Sequence, residues 1–194
     1  HGKSYEAVYE RRHPPGFRWV HESFGTNWRM LEMQAVIGRI QLKRIKSWSE
    51  ARARNANSIV QTCKKFPALR VPSFKCGSCE GGCSASGSSN GCIHANYKCY
   101  VYVKPEYLNI GWSRDRIIDE INALGVPCYQ GSCSEVYLEK AFDGTGWRPA
   151  ERLAVAKQLG ETSLMFLVHP TLNEQEITQT CDAIRRVVSQ ASVG

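Results

Sequence analysis

The longest helix-compatible run of the chain extends from Phe24 to Val60 and contains no proline. Apolar residues recur in this run at steps of three to five, which is typical of a helix with a buried stripe. The stripe consists of Met30, Met33, Ile37, Ile40, Ile45 and Trp48. Further apolar positions lie on a second side at Leu31, Ala35 and Val36. We therefore predict a long helix over residues 27–66 whose first half packs against two neighbours.

Short apolar strands and amphipathic helices alternate in the second half of the chain. Strand composition, β-branched and aromatic, is found at Tyr97–Val103, Val126–Tyr129 and Thr162–Val168. Helices are predicted at Ser113–Leu124, Glu135–Phe142, Pro149–Leu159 and Asn173–Ser189. Ser113 is a favourable N-cap, and Gly125 and Gly160 are expected to end their helices. The predicted fold class is α/β (α+β): a long connecting helix, followed by a small domain with a short antiparallel or mixed sheet covered by helices.

The pattern divides the chain into four segments. Residues 1–26 form an N-terminal segment in which Pro14-Pro15-Gly16 interrupts regular structure. The long helix follows, then a loop over residues 67–96 rich in Cys, Gly and Ser, and then the small α/β domain over residues 97–194. Because the chain opens in a loop-like segment without an initiator methionine, we expect it to be a piece of a longer protein.

The positive charge is concentrated in the first part of the chain. Residues 1–70 carry 14 Lys+Arg and 5 Asp+Glu, whereas residues 71–194 carry 11 and 13. This distribution favours an anionic ligand, a polyanion or an acidic partner, although a solvated basic helix face gives the same pattern. No apolar run approaches the roughly 20 residues of a membrane span. With no visible signal peptide, the nine cysteines indicate reduced thiols and a cytoplasmic location.

Four cysteines in the 67–96 loop have a spacing related to that of metal ligands. Cys76, Cys79, Cys83 and Cys92 follow the pattern C-x2-C-x3-C-x8-C. Paired thiolates suit a tetrahedral zinc ion, but the second pair departs from the repeated CxxC knuckle. A flexible loop with reduced thiols is the alternative. The zinc interpretation leads to a second functional hypothesis, a non-enzymatic module that binds zinc, a polyanion or a partner protein.

The residues Asn27-Trp28-Arg29 stand at the predicted mouth of the long helix. A helix mouth attracts anions, because its first backbone N–H groups are unpaired and the helix dipole is positive there. An amide and a guanidinium are also good donors to phosphate oxygens. This corner therefore predicts a site for a phosphate-bearing ligand. The alternatives are that Asn27 is a helix N-cap and that Arg29 pairs with Glu32.

The stretch Gly25–Gly38, followed by Gln41-Leu42, resembles the GxNxRMxExQAAIGxxQL signature of the DegT/DnrJ/EryC1/StrS aminotransferases. The resemblance extends along the chain through Arg54, Asn55-Ala56, His94-Ala95, Tyr97-Lys98, Arg114-Asp115, Gly125-Val126, His169-Pro170-Thr171-Leu172 and Glu174. Members of this family are enzymes dependent on pyridoxal 5′-phosphate (PLP) that aminate nucleotide-linked keto-sugars. The resemblance implies the C-terminal part of a fold-type-I aminotransferase.

The resemblance also implies what the full-length protein does. It would use PLP to transfer an amine from a donor such as glutamate to a keto-sugar, for lipopolysaccharide, O-antigen or related glycan biosynthesis. A homodimer is expected, with neither nucleic acid nor membrane as partner. The family's Schiff-base lysine lies upstream of the stretch matching His1-Gly2, so we expect this chain alone to bind no PLP and to be inactive.

Individual roles follow from the same resemblance. Asn27 would donate its amide to the PLP phosphate of the partner subunit. Arg29 would lie near the sugar or diphosphate, beside Trp28, which replaces the family's usual tyrosine. Gln130 and Ser132 are candidates for hydrogen bonds to the sugar, with a plain turn as the alternative. Many members have histidines where this chain has Cys128 and Cys133, which suggests a different keto-sugar pocket, whereas His94 and His169 are expected to be structural.

Overall fold

The computed structural model describes residues 2–12, 21–26, 30–72 and 94–193. The helices are α1 (Glu32–Cys63), α2 (Arg114–Ala123), α3 (Ala154–Thr162) and α4 (Glu174–Ala191). The strands are β1 (Leu69–Arg70), β2 (Cys99–Val103), β3 (Cys128–Tyr129) and β4 (Ser163–Phe166). A π-helical turn at Glu6–Glu10 and 3-10 turns at Pro105–Tyr107, Val136–Leu138 and Lys140–Phe142 complete the regular structure.

The four strands form one antiparallel sheet in the order β1-β2-β4-β3. In the centre of the sheet Val101 pairs with Leu164, and Phe166 pairs with Cys99 on one side and Cys128 on the other. The predicted α/β class with a short antiparallel sheet is confirmed. The sequence pattern did not predict β1, because two residues are too few to show an alternation.

One face of the sheet and three helices enclose the core. Successive side chains of a strand point to opposite faces, so Val101, Leu164 and Phe166 lie towards the helices with at most 1% of their surface exposed. The helices contribute the fully buried Ile59 of α1 and Ile184 of α4, together with Ile117 and Ile121 of α2. Each such side chain contributes about 1.5–3 kcal/mol through removal of apolar surface from water. The opposite face carries Tyr100, Tyr102, Tyr129 and Met165.

The helix ends in the C-terminal half are formed by the residues expected from the sequence. The Ser113 hydroxyl accepts from the Arg116 amide at 3.2 Å, and Gly125 follows α2 with a φ of +78°. Asn173 and Glu176 exchange side-chain and backbone hydrogen bonds of 2.8 and 2.9 Å, forming a capping box at the start of α4.

The long helix differs from its prediction at its N-terminal half. It begins at Glu32, with Leu31 as N-cap, instead of at residue 27. The first-half stripe is exposed, with Met33 at 73% and Ile37 at 54% of their surface, which contradicts the expected burial against two neighbours. The buried residues of α1 begin only at Ala53, where β2 and α4 pack against the helix.

Two predicted helices are replaced or displaced. The segment expected to be helical over Glu135–Phe142 consists of two 3-10 turns. The helix predicted over Pro149–Leu159 is α3, which begins at Ala154 and continues through Gly160 instead of ending there. Gly160 has a packing role: a Cβ atom at this position would lie 2.1 Å from the Ser134 Oγ, so glycine permits close contact between α3 and the segment after β3.

Candidate functional site

The segment that follows β3 and helix α3 border a groove of about 920 Å³. The groove is lined by Gln130, Gly131, Ser132, Cys133, Ser134, Glu135, Leu138, Glu139, Lys140, Lys157, Gly160 and Glu161. Polar and charged side chains of both signs predominate in this lining. The groove therefore offers a ligand hydrogen-bonding groups and charges of both signs.

A tight turn at Gln130–Ser132 forms one end of the groove and lies against Tyr100 of β2. The Tyr100 hydroxyl accepts a hydrogen bond from the Ser132 amide and exchanges another with the Ser132 hydroxyl, each at 3.2 Å. Gly131, between Gln130 and Ser132, has a φ of +97°. The conformation of the turn thus depends on a glycine and on a sheet tyrosine.

A partly buried arginine, Arg114, links the same turn to α2 and to the end of α3. The Arg114 Nε donates to the Asp115 carboxylate at 2.8 Å, and its Nη1 donates to the carbonyls of Gly160 at 2.8 Å and Ser163 at 3.1 Å. The Gln130 side-chain amide donates to the same Asp115 oxygen at 3.0 Å. Gln130 is therefore oriented by a chain of charge-assisted hydrogen bonds.

The side wall of the groove contains a buried carboxylate. Glu135 is only 8% exposed and pairs with both nitrogens of the Arg152 fork, one of them at 2.9 Å. The Tyr137 hydroxyl donates to Glu135 at 2.7 Å and accepts from the Leu153 amide at 2.9 Å. The hydrogen bonds from Arg152 and Tyr137 lower the pKa of Glu135 to about 2, since both favour the ionised form.

Arg148 holds the segment over residues 135–142, which was predicted to be helical, in its observed conformation. The Arg148 guanidinium donates to three successive main-chain carbonyls, those of residues 137, 138 and 139, at 2.8 to 3.1 Å. It also pairs with Asp143 at 2.6 Å. These bonds satisfy backbone groups that regular secondary structure would otherwise have paired.

The segment preceding Asn27 packs against the far end of the same region. The ring centroid of Phe24 lies 5.4 Å from that of Phe142, edge to face, and 5.4 Å from that of Trp147. Aromatic pairs of this kind contribute about 0.5–1.5 kcal/mol beyond area burial. Phe24 is therefore held against the segment that follows the groove-lining residue Lys140.

A comparison with protein families assigns most of the chain. The sequence model of the DegT/DnrJ/EryC1/StrS aminotransferase family matches residues 9–185. The chain belongs to this family. A comparison with curated proteins gave no match.

Solved structures agree with the family assignment. An aminotransferase from Psychrobacter cryohalolentis is 57% identical over 97% of this chain and 46% of its own, with a TM-score of 0.69. The chain thus spans about half the length of that relative. DesV from S. venezuelae, solved with a ketimine intermediate, is 22% identical over 93% of this chain and 42% of its own, with a TM-score of 0.61. DesI, solved in the presence of its TDP-sugar product, is 18% identical over 86% and 38%, with a TM-score of 0.64. The last two show the shared fold.

Of the candidate residues that the sequence singled out, Gln130, Ser132 and Cys133 line the groove of this family member, and others lie outside the described residues. Gln130 and Ser132 line one end of the groove, in a turn that is held by specific contacts. The residues outside the described part of the chain are Asn27, Trp28, Arg29, Cys76, Cys79, Cys83 and Cys92.

The two cysteines at histidine positions have different environments. Cys128 is fully buried in the core face of β3 and does not line the groove. The register explains this: Cys128 pairs with Phe166 in the sheet, and both side chains lie towards the helices. Cys133 is exposed and lines the groove.

The two histidines make local hydrogen bonds. His94 bonds through Nδ1 to Asn96, and His169 bonds through Nδ1 to Thr171 at 2.7 Å. Sequence reasoning assigned no role to Tyr100, Glu135, Arg148 or Arg152, although the Arg114-Asp115 pair was part of the family resemblance. No spacing rule indicated them, because the contacts that join Tyr100 to Ser132, Arg148 to the carbonyls and Arg152 to Glu135 span 9 to 32 positions.

Two further properties concern the described residues only. Within residues 2–12, 21–26, 30–72 and 94–193, no three His, Cys, Asp or Glu side chains are grouped in a way that would hold a metal ion. None of the helices in these ranges is long and apolar enough to cross a membrane.

Proposed function

We propose that this chain is the C-terminal part of a PLP-dependent aminotransferase that aminates a nucleotide-linked keto-sugar. The observation that carries the proposal is the 57% identity over 97% of the chain to an aminotransferase. In this proposal residues 1–26 belong to the larger cofactor domain, the long helix connects the two domains, and residues 97–194 form the small domain.

The start of α1 fits a group that contains a phosphate. Leu31 has no side-chain acceptor, and its own amide donates to Gln34 at 2.9 Å. The amides of Glu32, Met33 and Gln34 have no hydrogen-bond acceptor among the described residues, and free first-turn amides favour an anion. Bound PLP supplies an electron sink for amine transfer. Asn27, a few residues before this turn, is proposed to donate its side-chain amide to the PLP phosphate of the partner subunit.

The groove supports a sugar as the other ligand. Gln130 and Ser132 present hydrogen-bonding groups from a turn of fixed conformation, as recognition of hydroxyl groups requires. DesI, with its TDP-sugar product, supports a nucleotide-linked sugar as the substrate class. We propose that Arg29 pairs with the diphosphate and that Trp28 contacts the sugar or nucleotide. A glycan pathway such as lipopolysaccharide or O-antigen synthesis would consume the amino-sugar product.

The exposed half of α1 supports a larger assembly. Its apolar side chains Met33, Ile37 and Leu42 are 54% to 73% exposed, and an apolar surface of this kind usually marks an interface. We propose that the remainder of the full-length enzyme and the second subunit of a homodimer cover this half. Asn27 would then complete an active site shared between subunits.

The proposal is tested with the full-length protein. We expect absorbance of bound PLP and transfer of the amino group from glutamate to a TDP-linked or UDP-linked 4-keto-hexose, with the amino-sugar identified by mass spectrometry. Asn27→Ala should lower the PLP occupancy after dialysis while leaving the circular dichroism spectrum unchanged. Asn57→Ala, at a half-buried position of α1 that is distant in sequence from the motif, is the matched control.

Two results would contradict the proposal. Full-length protein that binds PLP but aminates neither keto-sugar would exclude the proposed substrate class. Equal PLP occupancy in Asn27→Ala and wild type would exclude the phosphate contact. We also expect no turnover by the 194-residue chain alone, and turnover by it would show that the catalytic lysine is not needed from another segment.

A further inference from the structure

We infer that Tyr100 is a positioning residue for substrate binding, which holds the Gln130–Ser132 turn in the conformation that accepts the sugar. This inference rests on the proposed function and identifies the part of the sheet on which sugar recognition depends. Tyr100 lies on β2, a central strand hydrogen-bonded to β1 and β4, so its backbone is fixed on both sides. Its hydroxyl reaches across to a loop 32 positions away in the sequence.

The hydroxyl makes two contacts with a single residue of the turn. The Ser132 amide donates to the Tyr100 oxygen at 3.2 Å, and the Ser132 hydroxyl lies 3.2 Å from the same oxygen. A phenol oxygen can accept one hydrogen bond while donating another. One tyrosine hydroxyl therefore fixes both the backbone and the side chain of Ser132.

The ring makes a steric contact that only glycine permits. An ideal Cβ at Gly131 would lie 2.5 Å from Cε1 of Tyr100, closer than real Cβ atoms approach. With a φ of +97°, Gly131 also has a backbone conformation that other residues rarely adopt. The turn thus sits directly on the tyrosine ring, and its height above the sheet is set by that contact.

The other end of the turn is held independently. The Ser163 hydroxyl donates to the Gln130 carbonyl, and the Gln130 side-chain nitrogen donates to Asp115. Because an ionised carboxylate only accepts, the amide nitrogen of Gln130 must point towards Asp115. Its side-chain oxygen has no partner among the described residues, which makes it an acceptor for a hydroxyl of the sugar.

Removal of the Tyr100 hydroxyl should therefore weaken sugar binding without affecting the cofactor. Tyr100→Phe keeps the ring against Gly131 and abolishes both bonds to Ser132. Loss of one to two neutral hydrogen bonds that position a binding turn corresponds to a rise in Kd of about 3- to 10-fold. Ser132→Ala acts through the same contact, so the two substitutions should not be additive.

The experiment uses the full-length, PLP-loaded enzyme and isothermal titration calorimetry. Kd is measured for a TDP-linked and a UDP-linked 4-keto-hexose with wild type, Tyr100→Phe, Ser132→Ala and the double variant. Tyr102→Phe is the matched control, because Tyr102 lies on the same strand and face and its hydroxyl makes no hydrogen bond with a described residue; its ring stacks on Arg70 at 4.3 Å. The rate of the half-reaction with glutamate is measured for each protein.

The expected result is a raised Kd in Tyr100→Phe, a smaller further effect of Ser132→Ala in the double variant, and wild-type values for Tyr102→Phe. The glutamate half-reaction should stay within about two-fold of wild type, since the inference assigns the turn to sugar binding. A wild-type Kd in Tyr100→Phe would overturn the inference and leave the proposed function intact. An equal loss in sugar binding and in the glutamate half-reaction would also overturn it, as a general structural effect. Failure of the wild type to bind either keto-sugar would overturn both the inference and the proposed function.

Discussion

The side-chain amide of Asn55 donates to the main-chain oxygen of His169 at 3.2 Å, so α1 is bonded directly to the turn between β4 and α4. The same oxygen accepts from the Leu172 amide at 3.1 Å, which closes the turn. Asn55 lies within the part of α1 that packs on α4. This side-chain hydrogen bond therefore joins the long helix to the small domain.

Asn55→Ala should lower the free energy of unfolding by about 0.5–1.5 kcal/mol, because α1 loses its hydrogen bond to the main chain of the turn after β4. Urea unfolding followed by circular dichroism measures the change. Asn57→Ala is the control, since among the described residues the Asn57 side chain bonds to Gln61, one helical turn away, at 3.3 Å. Such pairs contribute about 0.2–0.5 kcal/mol. Equal effects of the two substitutions would show that the Asn55 contact contributes nothing beyond the helix.

Gly131→Ala should destabilise the protein more than Gly144→Ala. Both glycines have positive φ, +97° and +68°, but a Cβ at Gly144 meets no atom within 4 Å. Gly144→Ala therefore reports the backbone cost alone, about 1–2 kcal/mol. Gly131→Ala adds the overlap with Tyr100. Thermal unfolding of the two variants gives the comparison, and equal melting temperatures would indicate that the Tyr100 ring moves aside freely.

Glu135 should make the protein acid-sensitive. Its pKa in the folded state is lowered to about 2 by Arg152 and Tyr137, below the value of roughly 4.3 expected in the unfolded chain. The ionised form therefore stabilises the fold above about pH 5, and this contribution is lost as the pH falls towards 2. The difference in urea midpoint between wild type and Glu135→Gln should be largest near neutral pH and shrink as the pH decreases.

A second variant controls for the loss of charge. Glu151→Gln removes an exposed carboxylate that has no ion pair among the described residues. A simple packing change would give the same difference in urea midpoint between Glu135→Gln and wild type at every pH. That result would contradict the assigned role of the ion pair.

The described cysteines should separate into one reactive and four protected thiols. Cys63, Cys99, Cys128 and Cys181 are buried, whereas Cys133 is exposed. Burial raises the pKa of Cys99 and of Cys128 to about 12 and raises that of Cys63 further, so their thiolate forms are scarce. Iodoacetamide at about pH 8 should label Cys133 at least about tenfold faster than the buried four. Peptide mapping measures this, and labelling in urea, where all should react, is the control.

The elements of the small domain were predictable because their signals are local. Ser113 and Asn173 cap α2 and α4 as their side chains indicate, and the alternating apolar residues of β2 identify it without any tertiary information. The signature around Asn27 identified the family through a contiguous motif. Helix ends and motifs depend on neighbouring residues, so a single sequence contains them.

Tertiary structure decided the remainder. Gly160 has the sequence appearance of a helix end, but contact with Ser134 keeps it inside α3. Glu135–Phe142 has helical composition, yet the carboxylate bound by Arg152 and the carbonyls bound by Arg148 hold it in short turns. Tyr100 and Ser132 meet only because the sheet brings residues 32 positions apart together. The sequence alone thus determined the family and most elements, whereas the shape of the groove depends on long-range hydrogen bonds that no local pattern encodes.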